Sequence, residues 1–228
     1  MITIVQTIIW DLDGTLLDTL ADLTDGVNAG LKAYNMPLRT LDEVRHFVGN
    51  GVGKLIDRAT PADTPQAVRD QVFQLFRAYY QTHCCNKTQP YPGIPALLKQ
   101  LTASGIRMAV VSNKLDQAVK EMIQFYFGDL FPIAIGDRPG YPRKPAPDSV
   151  WEAMALLDAK PENTIYVGDS EVDIATARNA GIACLSVTWG FRPEHILLAQ
   201  GATHLARTPA EAGRFFGLAE EIFPHIPS

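Results

Sequence analysis

The chain has 228 residues and a mass of 25.0 kDa, enough for one large domain or a core carrying a smaller insert. Hydrophobic residues make up 46% and charged residues 20%, the balance of a globular protein with a substantial core. A net charge of −5 and a pI near 5.5 exclude a nucleic-acid partner, since no basic stripe neutralises phosphates, and no apolar run approaches the ~20 residues of a membrane span.

The N-terminus lacks a basic segment, an apolar h-region and a small-residue cleavage site, so a cytoplasmic protein without a secretory signal is expected. The first apolar run, Ile8-Ile9-Trp10, leads directly into Asp11-Leu12-Asp13-Gly14-Thr15. Side chains alternate along a strand, so Asp11 and Asp13 share one side of its tip and Leu12 points away. Two like charges about 4 Å apart repel by roughly 4 kcal/mol at an effective dielectric of 20. A cation, a shared proton or a reaction commonly accounts for such a pair. Taken alone, an Asp-Gly turn with two capping carboxylates accounts for it equally well.

Residues 18–85 leave the strand pattern. Leu20, Leu23, Val27 and Leu31 start a helix, and Val44 to Ala59 and Ala67 to Tyr80 read as further helices. We expect an all-helical cap domain over 18–85, inserted into a core formed by 1–17 and 86–228. Its ends must lie beside Asp11 and Asp13, which makes it a lid. Within it, Gly49-Asn50-Gly51 is a compact polar turn whose glycines permit close approach to a ligand, and these three residues are candidate substrate contacts. The run from Gly49 to Lys54 is not a nucleotide phosphate loop: the spacing is wrong, no strand precedes it, and Leu55 stands where a magnesium-binding hydroxyl is needed. His83-Cys84-Cys85 has no second ligand pair, and three cysteines without a spaced framework read as reduced thiols.

Pro90-Tyr91-Pro92-Gly93 marks re-entry into the core. Helical spacing at Ile94, Leu97, Leu98 and Leu101 stops at Gly105, and a second helix carries Val119, Met122, Ile123 and Tyr126. Continuously apolar runs follow the pattern of strands covered on both faces: 108–112, 133–137, 165–169 and 183–187. Helices are expected from Pro147 to Leu157 and from Val172 to Ala180, the latter closed by Gly181. This alternation predicts an α/β fold, a doubly wound, Rossmann-like parallel sheet with ligands at the carboxyl ends of its strands. Several strands end there in Asp or Ser, and Trp189-Gly190-Phe191-Arg192 follows the last one. None of His46, His83, His195, His204 and His225 falls in a motif.

Four elements now stand in order: Asp11 to Thr15, Ser112-Asn113-Lys114, Lys144-Pro145, and Gly168-Asp169-Ser170-Glu171-Val172-Asp173. Together they resemble the four motifs of the haloacid dehalogenase superfamily, over essentially the whole chain. The segments 48–51, 91–93 and 143–148 and the run ending at Asp173 are similar to phosphoglycolate phosphatases and their close relatives. The resemblance implies Asp11 as the nucleophile that forms an aspartyl-phosphate and Asp13 as general acid, then base. Thr15 would support the loop and Asp13 on the phosphate-binding side. Ser112, Asn113 (through backbone or side chain) and Lys144 would bind phosphoryl oxygens. Asp11, Asp169 and the backbone carbonyl of Asp13 would hold Mg²⁺, with Asp173 acting through water or by orienting the ligands.

The implied activity is a Mg²⁺-dependent phosphomonoesterase acting on a small phosphate ester, foremost 2-phosphoglycolate. Pyrophosphate, a sugar phosphate or a nucleotide monophosphate on the same machinery is the alternative. Asp13 separates this reading from dehalogenases, which usually lack that carboxylate, and from phosphonate-cleaving relatives, which usually carry Ala there. Residues 18–34 lack the cap histidine expected of a sugar phosphomutase. A non-enzymatic phosphoacceptor domain would be about half as long and without the helical insert. Gly168-Asp169-Ser170 is no serine-hydrolase elbow, since residue 172 is Val. Oligomeric state is left open.

Overall fold

A computed structural model describes residues 5–218. His225 and the outer ends of the expected core segments lie outside the described residues. In chain order the elements begin with β1 (Thr7–Trp10), β2 (Leu17–Asp18), α1 (Leu20–Ala33), α2 (Leu41–Phe47), α3 (Val52–Ala59), α4 (Gln66–His83) and β3 (Gln89–Pro90). They continue with α5 (Ile94–Ala103), β4 (Arg107–Leu115), α6 (Asp116–Phe127), β5 (Ile133–Asp137), α7 (Asp148–Leu156), β6 (Thr164–Gly168) and α8 (Glu171–Ala180). β7 (Ala183–Val187), α9 (Glu194–Ala199), β8 (His204–Ala206) and α10 (Pro209–Phe215) complete the chain.

Six strands form one sheet in the order β5-β4-β1-β6-β7-β8, every adjacent pair parallel. β1 is central and buried at all four positions, which is why its sequence is continuously apolar. Ile8 and Trp10 belong to a buried cluster that includes Leu97 and Leu101 of α5, with Trp10 edge-on to the Phe216 ring at 6.1 Å, while Ile9 belongs to the cluster on the other face with Val111, Val150 and Tyr166. The expected α/β sheet is therefore present, with one addition: β8 is a three-residue edge strand too short to show a pattern.

β4 runs past the expected residue 112. Between its pairings Val111 with Ile135 and Leu115 with Asp137, β4 advances four residues while β5 advances two. That bulge re-aims Ser112, Asn113 and Lys114 at the carboxyl end of the sheet. α8 starts where β6 ends, with a reciprocal cap between Ser170 and Asp173, and stops at Gly181 in the left-handed region (φ 74°).

Helices α1 to α4 follow β1 and pack on one another, joined to the sheet by the antiparallel ribbon of β2 and β3. The expected helix from Val44 to Ala59 is broken. Residues 48–51 form a turn between α2 and α3, with Gly49 and Gly51 at φ 123° and 82°, a conformation L side chains rarely adopt. At the base of this bundle the buried Asp22 carboxylate accepts from the main-chain N–H groups of Lys87 and Thr88 and from the Thr88 hydroxyl, tying α1 to the returning strand. The three cysteines are free thiols. No helix among the described residues is long and apolar enough to cross a membrane.

Candidate active site

The tips of β1, β4 and β6 converge on a cavity of about 1080 Å³ that α4 and the turn between α2 and α3 cover. Asp11, Asp13, Ser112, Asn113, Lys144 and Asp169 all face it, as do Gly49 and Gly51. Asp11 pairs with Lys144, whose Nζ lies 2.9 Å from Asp11 Oδ1 and 2.8 Å from Asp173 Oδ1, and donates to the Tyr166 hydroxyl at 2.8 Å. Burial works against the Lys144 charge, yet Asp11 and Asp173 outweigh it and hold the ammonium well above its usual range. Burial pushes the Asp11 carboxyl up to about 7 against the pull of Lys144, and Asp173 and Asp13 add repulsion.

Asp169 is nearly inaccessible. Its Oδ1 accepts from the Thr15 hydroxyl at 3.2 Å and its Oδ2 from the Phe191 N–H at 2.7 Å. Burial, followed by repulsion from Asp173 and Asp11, holds its carboxyl well above the usual range. Thr15 is fully enclosed and its hydroxyl supports Asp169 instead of Asp13, the residue that the family resemblance implies. Asp173 accepts at Oδ2 from the Ser170 N–H and hydroxyl while Oδ1 meets Lys144, so both oxygens are committed to orienting neighbours. Carboxylate oxygens of Asp11, Asp169 and Asp173 lie within 4.8 Å of one another.

A divalent cation fits this donor set. Four carboxylates (Asp11, Asp13, Asp169, Asp173) face two ammonium groups (Lys114, Lys144), leaving a surplus of negative charge in a buried place. All donors are oxygens, which suits a hard cation. The backbone is also shaped around Asp169: a Cβ on Gly14 would sit 2.4 Å from its Oδ2, and one on Gly190 would sit 2.3 Å from the Gly14 carbonyl oxygen and 2.4 Å from Asp169 Cβ. Gly190→Ala is therefore expected to cost about 1–3 kcal/mol of stability by overpacking, and to lower kcat by displacing Asp169. Denaturant titration and steady-state kinetics check both, and unchanged values would mean the loop yields freely.

The cap turn is fastened to the core by hydrogen bonds. Asn113 Nδ2 donates to the Gly49 carbonyl at 3.1 Å and to the Lys144 carbonyl at 3.0 Å, so both of its side-chain N–H groups are spent. Asn50 turns away, its Oδ1 accepting from Arg58 at 2.8 Å, and the cavity wall here is Gly49 and Gly51. Ser112 Oγ accepts from the Lys114 N–H at 3.3 Å. Arg192, held by Glu171 at 2.9 Å, donates to the carbonyls of Arg45 and Val48 at 2.8 and 2.7 Å. Trp189 Nε1 donates to the Thr15 carbonyl at 3.0 Å.

Lys114, Tyr80 and Tyr166 were not among the site residues expected from the sequence. Lys114 Nζ lies 2.9 Å from Asp13 Oδ1 and 2.7 Å from the Tyr80 hydroxyl of α4. Lys114 carried a signal as the third residue of Ser112-Asn113-Lys114; Tyr80 looked like one more apolar position of a helix.

Carboxylates and paired ammonium groups at the strand tips of a parallel sheet, under a helical cover, form a buried polar site that suits an anionic small molecule and a cation. The profile of the haloacid dehalogenase-like hydrolases matches residues 8–187. The phosphoglycolate phosphatase of Pseudomonas putida is 34% identical over 196 residues, 83% of this chain and 71% of that protein. That of Aquifex aeolicus is 30% identical over 187 residues, 82% of this chain and 86% of that protein. A haloacid dehalogenase-like family hydrolase from Streptococcus pneumoniae superposes with a TM-score of 0.84 at 25% identity, covering 93% of this chain and 98% of that one. This chain belongs to the haloacid dehalogenase-like hydrolase family, and it is a phosphatase.

Proposed function

We propose that this phosphatase hydrolyses 2-phosphoglycolate through an aspartyl-phosphate on Asp11, with Mg²⁺ as cofactor. The observation that carries the chemistry is Asp11 at the cavity floor, 2.9 Å from the Lys144 ammonium and clustered with Asp169. Relatives named phosphoglycolate phosphatase support the substrate. Asp11, Asp169 and the Asp13 carbonyl would hold the Mg²⁺, which supplies charge neutralisation for the phosphate oxygens.

In this reading Asp11 Oδ attacks phosphorus while Asp13 gives a proton to the departing alcohol oxygen. Asp13 then takes a proton from water as that water attacks the acyl phosphate, regenerating Asp11. Lys144 and the main chain at Ser112 and Asn113 neutralise and orient the phosphoryl oxygens. Asp173 keeps Lys144 in place from below. The cap, proposed to span 18–85 against a core of 1–17 and 86–228, excludes bulk water and shapes the leaving-group side.

Purified protein with Mg²⁺ should be assayed against 2-phosphoglycolate, pyrophosphate, sugar phosphates and nucleotide monophosphates. The highest kcat/KM is expected with 2-phosphoglycolate. A higher value with any of the others replaces the substrate and leaves the chemistry standing; absence of turnover on all of them rejects the reading.

A further inference from the structure

Lys144 and Lys114 are two buried ammonium groups on the cavity wall with different company. Lys144 sits among two carboxylates and one tyrosine hydroxyl: Asp11 at 2.9 Å, Asp173 at 2.8 Å and Tyr166 at 2.8 Å. Lys114 has one carboxylate and one tyrosine hydroxyl, Asp13 at 2.9 Å to Oδ1 and 3.3 Å to Oδ2 and Tyr80 at 2.7 Å, so a single negative charge faces it, and its side chain is only 3% exposed. Both lysines are fully desolvated, so each needs compensating oxygens, and Lys114 has one carboxylate fewer. A carboxylate arriving from the cavity would give Lys114 the same surroundings that Lys144 already has.

We propose that Lys114 reads a second anionic group on the substrate, selecting phosphate esters whose alcohol carries a carboxylate next to the ester oxygen. The inference rests on the reading of Asp13 as the proton donor. If Asp13 serves the leaving oxygen, that oxygen lies within hydrogen-bond reach of Asp13. A carboxylate one carbon away from it then falls beside Nζ, which touches the same aspartate. The cap completes the subsite. Tyr80 positions the ammonium from α4, and Arg77, one turn earlier on that helix, also faces the cavity. Arg138, Arg143 and Arg192, the other arginines on the wall, are paired with Glu152, Asp137 and Glu171. Arg77 has no carboxylate partner among the described residues; its guanidinium lies over the Phe73 ring at 5.8 Å. It is the cation whose charge is left for a ligand.

The competing account gives Lys114 a purely structural task, holding Asp13 and bracing Tyr80. The two accounts differ in what substitution does to selectivity. The measurement is the ratio of kcat/KM for 2-phosphoglycolate to that for 2-phosphoethanol, in which a hydroxymethyl group replaces the carboxylate. It is taken in the wild type, Lys114→Met and Arg77→Met, each with Mg²⁺.

The ratio should fall in Lys114→Met by roughly ten- to a hundredfold, the worth of a hydrogen bond to a charged group, chiefly through KM for the acid. Arg77→Met should lower it several-fold. Equal losses on both esters in Lys114→Met, with the ratio kept in Arg77→Met, would overturn the proposal in favour of the structural task. Should Lys114→Met fail to fold by circular dichroism, the exposed Arg77 carries the test: a lowered ratio supports the subsite, and an unchanged one overturns it. A wild type that prefers a different carboxylate-bearing ester, with that preference lost in Lys114→Met, would retain the subsite and remove 2-phosphoglycolate as substrate. A wild type with no preference for any carboxylate-bearing ester over its neutral counterpart would overturn both.

Discussion

Replacing Asp11 with asparagine should lower kcat by more than about a thousandfold, or ~4 kcal/mol of transition-state stabilisation, while leaving the protein folded. The amide keeps the shape of the side chain at the tip of β1 but has no oxygen able to form an acyl phosphate with phosphorus. The fold has little reason to suffer. Burial already pushes the Asp11 carboxyl up to about 7, so at neutral pH its charge is a cost to the cation-free protein. The asparagine removes that cost, and Lys144 retains Asp173 at 2.8 Å and Tyr166 at 2.8 Å. Equal or higher thermal stability with turnover abolished is the expected pair of results. A variant keeping a tenth of the wild-type kcat, a loss of only about 1.4 kcal/mol, would remove Asp11 as the nucleophile.

Stripping divalent cations with EDTA should abolish turnover, and Mg²⁺ should restore it. Ca²⁺ is expected to be a poor substitute, since it takes more oxygen ligands at longer distances than Mg²⁺. Full activity in a rigorously cation-free sample would refute the assignment of Asp169 as a ligand. The same donor set predicts a pH signature in stability that needs no assay. Asp11 rises from its ordinary 3.8 to about 7 on folding, and Asp169 also rises well above its usual range. A carboxyl raised in the folded state contributes stability below its unfolded value and loses it as pH climbs through the folded one. On account of Asp11 the cation-free protein therefore weakens from about pH 4 to 7, and Asp169 acts in the same direction. A cation replaces the protons it displaces. Mg²⁺ should thus raise Tm more at pH 8 than at pH 5, read by thermal melts with and without the ion. An equal rise at both values would mean that the cation binds elsewhere.

Much of the site was legible because its pieces are local. Asp11-Leu12-Asp13-Gly14-Thr15, Ser112-Asn113-Lys114 and the run from Gly168 to Asp173 each sit at the end of an apolar strand, and strand ends are marked by a change from apolar to polar residues. A doubly wound sheet then brings such ends together whatever lies between them. The helical insert was readable for a similar reason: 3.6-residue spacing at Leu20, Leu23, Val27 and Leu31 persists without a strand run, and all four are buried. The break between α2 and α3 was harder, since apolar residues on both sides of Gly49 and Gly51 keep a helix-like spacing across the turn.

Sequence alone determined the alternation of the main strands and helices of the core and the residue types at their strand tips, because propensity and periodicity act over a few residues. The break between α2 and α3 and the short strands β2, β3 and β8 lay outside that pattern. Tertiary structure decided which groups pair. Thr15 serves Asp169 across 154 positions of chain, and Lys114 meets Asp13 across 101 and Tyr80 across 34. Those pairings depend on β1 lying between β4 and β6 and on α4 folding back over their tips. The same closeness makes Gly14 and Gly190 necessary beside Asp169, a constraint of tenths of an ångström between segments far apart in the chain. Local pattern specifies which surface each element buries. The ion pairs and the shape of the cavity arise only when those surfaces meet, since electrostatic and steric terms act through space and take no account of distance along the chain.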